Sequence, residues 1–264
     1  MIKIENVVLA SPEQMEFIIQ GMRNPMNSYA NSDSAYCHKD LIRDCNTCLH
    51  SNTDYPACKV GGFDIGSKDY DLMKRLSNAG TEHRKYLRMM PVYARITAPL
   101  YWWKEADTYK IGTVTNSCST MHKIAAKEFT RDDFSCEHLV SGWQGKDAKG
   151  IDIVISGPFE ILDLTISLLN NIREKYLDAL KNKQEETFIQ GYTQYLGAKD
   201  IWWQMIQLLP SSYNQTRNVM MNYEVLANIY RQRKDHKLDE WREFCKWIES
   251  LPYSELITGK EKNE

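Results

Sequence analysis

Apolar and polar positions interleave from Ile2 to Leu9 with several β-branched residues, which predicts an opening strand. Ser11-Pro12-Glu13-Gln14 then supplies an N-cap, a proline at the first helical position and an early acidic residue, so a helix is expected through about Met22. Asn24-Pro25 ends it. Residues 27–66 are rich in Asn, Ser, Asp and Cys and carry no apolar periodicity, which reads as a loop or irregular hairpin of unusual length. Ser67 to Ala79 places Tyr70, Leu72, Met73 and Leu76 near helical spacing ahead of Gly80, a C-cap candidate, and Pro91 to Thr97 alternates as a strand through Val92, Ala94 and Ile96. Ile151 to Ile155 is a short β-branched strand stopped by Gly157-Pro158. The longest helix is expected from Phe159 to about Lys183, where Leu162, Ile166, Leu169 and Ile172 recur at helical intervals. Three more helices are predicted over Ala198–Leu209, Gln215–Gln232 and Leu238–Glu249. A few strands among many helices give an α/β (α+β) class, without internal repeats.

Composition narrows the function classes. The 264 residues are read as one domain, 1–264, with the segment at about 27–66 as a Cys-rich insertion. Hydrophobic residues make up 42% and charged residues 26%, an ordinary globular balance. A net charge of -2, from 33 basic against 35 acidic residues, provides no global footprint for duplex nucleic acid or an anionic membrane. No apolar run of about 18 residues and no signal-like apolar start is visible, so a cytoplasmic protein without a membrane segment is expected. Seven cysteines then point to thiols or a metal rather than to disulfides. Cys37, Cys45, Cys48 and Cys58, with His38 and His50 nearby, offer soft ligands for a structural zinc ion. Their spacing does not form a two-knuckle pattern, and four free thiols on an irregular loop are the alternative.

The densest candidate chemistry lies between Ala98 and Met121. There the strand passes into an aromatic run, Tyr101-Trp102-Trp103, followed by Lys110, Asn116, Ser117, Ser119 and Thr120. One reading makes the tryptophans core and the polar stretch a loop. The other combines a lysine, clustered hydroxyls and backbone amides into a holder for a phosphate, since such donors strengthen when they meet an anion. Cys118 lies in the same stretch with no His or Asp partner at readable spacing.

The run resembles the flavin-dependent thymidylate synthases, and in particular the divergent branch of that family found in bacteria and phages. The family signature reads Arg-His-Arg-x-x-Ser-x-Asn-Glu-x-Ser-x-Arg after a strand ending in Ala-Pro. Ala98-Pro99 matches the strand end, and Asn116 and Ser119 fall on the motif's Asn and second Ser. Tyr109-Lys110-Ile111 stands in place of Arg-His-Arg, Val114 in place of the first Ser, Ser117 in place of Glu and Met121 in place of the final Arg. Downstream, Asn222, Asn228 and Arg233 match the family's Asn-x-Arg-x-x-x-Asn/His-x-x-x-x-Arg helix, with Glu224 where the family has Arg. Positions 222, 226, 229 and 233 are expected to share one helical face. Glu82-His83 echoes a Glu-His pair beside the flavin.

The resemblance implies a central mixed sheet flanked by long helices, and methylation of dUMP or a related pyrimidine nucleotide at C5. FAD, NADPH and methylenetetrahydrofolate are the implied cofactors. Arg233 is then the catalytic contact to the pyrimidine; Lys110, Asn116, Ser117, Ser119 and Thr120 are substrate contacts; and His83, Lys110, Asn222 and Asn228 are on the flavin side. A homotetramer is also implied. The missing arginines motivate an alternative, a non-catalytic nucleotide-binding or nucleotide-sequestering protein on the same fold, because a lysine point charge cannot reproduce bidentate contacts to phosphate. Lys104, Lys123, Arg84, Lys85 and Arg88 are the basic residues that could compensate.

Overall fold

The computed structural model describes residues 2–36, 62–183, 187–189 and 192–259. The opening strand forms as expected as β1 (Lys3–Leu9), and the helix α1 (Pro12–Arg23) follows. Its start is a capping box: Ser11 Oγ accepts from the Gln14 amide at 3.2 Å, while the Gln14 side chain accepts from the Ser11 amide at 2.9 Å. α1 buries Ile18, Ile19 and Met22 and gives way at Asn24-Pro25 to a single 3₁₀ turn.

The two described ends of the long polar excursion are tied together. β2 (Ala35–Tyr36) pairs antiparallel with β3 (Phe63–Asp64), which leads into α2 (Ser67–Asn78). The fully buried carboxylate of Asp69 receives the Arg23 guanidinium, the Ser32 and Ser34 hydroxyls at 2.5 Å each and the Ser34 amide at 3.2 Å. Asp33 caps α2 by accepting from the Lys68 and Asp69 amides at 2.9 and 3.1 Å. Burial works to raise the pKa of Asp69, but the hydrogen bonds from Ser32, Ser34 and Arg23 outweigh it and hold the carboxyl below its ordinary value. Cys37, Cys45, Cys48 and Cys58 lie outside the described residues. Among the described residues, no group of three or more His, Cys, Asp or Glu is gathered as a metal site would require.

Beyond α2 the chain turns at Gly80, whose φ of +114° few L-residues adopt. β4 (Pro91–Pro99) buries alternate residues Val92, Ala94, Ile96 and Ala98, and α3 (Leu100–Ala106) buries both Trp102 and Trp103. β5 (Val114–Ser117) and the short α4 (Thr120–Lys123) follow. An exposed ribbon of β6 (Trp143–Lys146) and β7 (Asp152–Ile155) pairs antiparallel and leads into α5 (Pro158–Lys181), the longest helix. β8 (Thr187–Ile189) and β9 (Tyr192–Tyr195) form a second ribbon before α6 (Ala198–Leu208).

One expected element is different. In place of a helix over Gln215–Gln232 the chain forms β10 (Asn214–Asn222) and then α7 (Tyr223–Arg233). Val219 and Met221 are buried while their neighbours are not, the two-residue period of a strand. Strand preference depends on the neighbours a sheet supplies, and those come from distant parts of the chain. α8 (Asp239–Ser250) and α9 (Glu255–Thr258) complete the fold, in which a four-stranded sheet has the order β1-β4-β10-β5.

The chain divides into two compact units, one of Met1–Lys3, Thr97–Asp107 and Ser117–Arg217, the other of Ile4–Ile96, Thr108–Asn116 and Asn218–Glu264. In the first, α5 and α6 pack around Phe129, Phe134, Leu162, Ile166, Leu169 and Met205. In the second, α1, α2, α7 and α8 contribute Ile19, Met73, Leu226, Ile229, Trp241 and Ile248 to the core.

Candidate functional site

In the second unit, the segment 108–116 closes on α7. Arg233, half-buried in the last turn, donates from Nε to the Tyr109 hydroxyl at 2.8 Å, and that hydroxyl donates to Gln232 Oε1 at 2.9 Å. The guanidinium lies 4.9 Å from the Trp241 ring centroid and 5.7 Å from that of Tyr109. Arg233 is thus fixed by an acceptor and two aromatic faces, which suits a planar cation and would not suit lysine. Gly112 has φ +79°, and a Cβ there would stand 3.0 Å from both Asn222 Nδ2 and Val225 Cγ2. The structure therefore brings the Tyr109–Ile111 replacement beside both Asn222 and Arg233. Lys110 is exposed, as is Ile111 at 95%.

The expected shared helical face does not form. Asn222 is extended at φ -139° and ψ 169°, and its Oδ1 caps α7 by accepting from the Val225 amide at 3.0 Å. Leu226 and Ile229, the intermediate positions of that face, are core residues. Asn228 is half-buried and accepts from Gln232 Nε2 at 3.0 Å. His83 is exposed on the turn after Gly80, its amide donating to the Gly80 carbonyl at 3.2 Å.

Of the five basic residues named as compensating candidates, only Arg84 is withdrawn from solvent. Its Nη2 donates to Glu224 Oε1 at 3.1 Å and its Nε lies 2.8 Å from Oε2, with the side chains 12% and 16% exposed. A guanidinium thus does stand beside the first turn of α7, carried by a different element and neutralised by Glu224.

In the first unit, Ser117, Cys118 and Ser119 are exposed and Thr120 is half-buried. The Cys118 amide donates to the Thr216 carbonyl at 2.9 Å, so it is not available to an anion, while its carbonyl accepts from Gln215 Nε2 at 3.2 Å. Ser119 Oγ caps α4 through the His122 amide at 3.0 Å, leaving its O–H to donate. Asn116, assigned to the second unit, is exposed on the edge strand β5. Two residues of the first unit were not singled out in the sequence. Arg217 donates from Nε to Gln215 Oε1 at 2.9 Å, pairs with Asp107 at 2.6 Å and stacks 4.2 Å above Trp103. The β10 alternation was the only signal for them, and a helical reading of 215–232 hides it.

No protein-family model and no curated protein matches the chain by sequence. Solved structures match it in shape. A flavin-dependent thymidylate synthase of Helicobacter pylori, complexed with FAD and dUMP, superposes with a TM-score of 0.56 over 98% of both chains at 14% identity. A second structure of that enzyme with FAD and dUMP gives 0.57 over 100% of both chains, also at 14%. The chain has the flavin-dependent thymidylate synthase fold. A UMP/dUMP methylase from Streptomyces cacaoi, bound with 5-Br dUMP, is also matched, at 12% identity and a TM-score of 0.49.

Proposed function

We propose that this chain is a flavin-dependent thymidylate synthase-like enzyme that methylates dUMP, or a close pyrimidine nucleotide, at C5. The observation that carries this reading is the correspondence of fold over the whole chain with enzymes solved with FAD and dUMP. The same coverage supports treating 1–264 as one functional domain. Ser117, Ser119 and Thr120 supply hydroxyls to the nucleotide, with Asn116 and Lys110 as a further amide and cation. Arg233 is assigned to the pyrimidine, where a fixed guanidinium stabilises negative charge as C5 becomes nucleophilic. Its aromatic and hydroxyl cradle is the kind of preorganisation this role requires.

His83, Asn222 and Asn228 carry donors suited to a flavin ring, but Lys110 is the one cation among the assigned flavin-side residues for its pyrophosphate. These residues fit the ring better than the phosphates. When bound, FAD reduced by NADPH would supply the hydride and methylenetetrahydrofolate the one-carbon unit.

We also propose a homotetramer. α5 leaves Ile161, Leu164 and Leu168 at 52%, 62% and 50% exposure, an apolar stripe of the kind that marks an interface. Light scattering on purified protein reads the assembly mass directly, and a monomer would remove this part. No helix among the described residues is long and apolar enough to cross a membrane.

A second reading, nucleotide capture without redox chemistry, is favoured by the neutralisation of Arg84 by Glu224. An absorbance spectrum from 350 to 500 nm with and without added FAD, followed by tritium release from C5-labelled dUMP in the presence of reductant and folate, separates the two. A flavin band with release supports the enzyme. Nucleotide binding with neither band nor release supports capture.

A further inference from the structure

Ser117, Cys118 and Ser119 are exposed and Thr120 half-buried, yet the centre of the segment Ser117–Thr120 is fixed. We propose that Gln215 is its positioning residue; this rests on the reading of the segment as the nucleotide contact. Gln215 is 8% exposed, and its backbone carbonyl and both side-chain groups have defined partners. Its backbone carbonyl accepts from Trp103 Nε1 at 2.8 Å, its side-chain oxygen from Arg217 Nε at 2.9 Å, and its side-chain NH₂ donates to the Cys118 carbonyl at 3.2 Å. The amide cannot be turned over, because a guanidinium only donates and a carbonyl only accepts. Arg217 is itself held from two directions, by Asp107 and by the Trp103 face. Cys118 is therefore gripped on both sides of its peptide, through Thr216 and through Gln215, and Ser117 and Ser119 are set by that grip. Rigid support of this kind decides whether flanking hydroxyls meet a ligand in usable geometry.

Gln215→Glu tests the assignment with almost no change of volume. The carboxylate keeps the bond to Arg217 but places an acceptor against the Cys118 carbonyl, so the grip is lost while the core anchor stays. Amide hydrogen exchange over residues 117–120 should quicken by about tenfold or more, and dUMP binding measured by calorimetry on the folded variant should weaken by about tenfold, with the thermal midpoint lowered because a buried carboxylate faces a carbonyl. Should this variant fail to fold, Gln215→Met removes the donor to Cys118 and the acceptor from Arg217 without adding charge, and carries the same expectation for exchange and dUMP binding. Unchanged exchange over 117–120 in a folded variant overturns the positioning role whatever happens to dUMP. Faster exchange with undiminished dUMP binding, or a parent protein that binds no dUMP, instead overturns the nucleotide reading of the segment and with it the part Gln215 plays in binding.

Discussion

If Tyr109 holds Arg233 as the geometry indicates, removing one oxygen from Tyr109 should weaken the fold by a definable amount. Tyr109→Phe deletes the acceptor 2.8 Å from Arg233 Nε and the donor 2.9 Å from Gln232. The bond to Gln232 involves an exposed amide that water can satisfy, so its loss costs little. The bond to the guanidinium is charge-assisted, and such bonds contribute about 1.5–3 kcal/mol. Arg233 is half-exposed, and water can replace part of that interaction, which places the expected loss near the lower end, about 1–2 kcal/mol. The phenyl ring keeps its edge contact with Trp241, 6.0 Å between centroids, and its distance to the guanidinium carbon. Urea unfolding followed by tryptophan fluorescence should therefore show a lowered midpoint with an unchanged slope. A double-mutant cycle with Arg233→Met isolates the pair: the loss in Y109F/R233M should fall short of the sum of the single losses by about 1 kcal/mol. Additivity within about 0.3 kcal/mol would refute the idea that these residues are energetically linked.

Three other outcomes follow from the same kind of reasoning. Asp69, with its pKa lowered in the fold, contributes stability that is complete above the unfolded carboxyl value of about 3.9 and is lost as pH falls through the lower folded value; Asp69→Asn should flatten that acid limb of the urea midpoint between about pH 5 and pH 2. Glu224→Gln leaves Arg84 mostly buried without a counter-charge and should cost about 3 kcal/mol, whereas the paired change to methionine at both positions should recover most of that loss in the same denaturation assay. Gly112→Ala meets a positive φ and two atoms at 3.0 Å, so a loss of about 1–3 kcal/mol is expected, and a thermal midpoint equal to that of the parent would contradict the close approach.

Local signals were legible where one element settles its own ends. Ser11, Pro12 and Gln14 start α1 without help from elsewhere, and the alternation of Val92, Ala94, Ile96 and Ala98 announces β4. Trp102 and Trp103 are buried, the plainer of the two readings of that run. β10 was not legible, because Val219 and Met221 acquire strand character from sheet partners far away in sequence, and its loss took Gln215 and Arg217 with it. Asn222, Asn228 and Arg233 were expected around one helical face, but a strand-to-helix junction, with Asn222 as the cap, takes the place of that face. Arg84 and Glu224 are 140 residues apart, a pairing that no spacing rule reveals.

That pairing bears most directly on which of the two proposed functions the fold supports. A pyrophosphate needs unneutralised cations or a set of free amides, and binding it with a guanidinium already paired to a carboxylate means breaking an ion pair that is almost withdrawn from solvent. The Cys118 amide is likewise committed to Thr216, and Arg217 is divided between Asp107 and Gln215. Other residues are exposed: Ser117 and Ser119 in the first unit, and Asn116 and Lys110 in the second. On the proposed assignment of these residues, one lysine and several hydroxyls would suit a single phosphate and a sugar better than a dinucleotide. The proposed assignment therefore carries an expected order of affinities. Nucleotide monophosphate binding should be present in the chain as it stands, and FAD should bind more weakly, its affinity rising when Glu224→Gln releases Arg84. An FAD affinity unmoved by Glu224→Gln in folded protein would show that Arg84 takes no part in holding the cofactor.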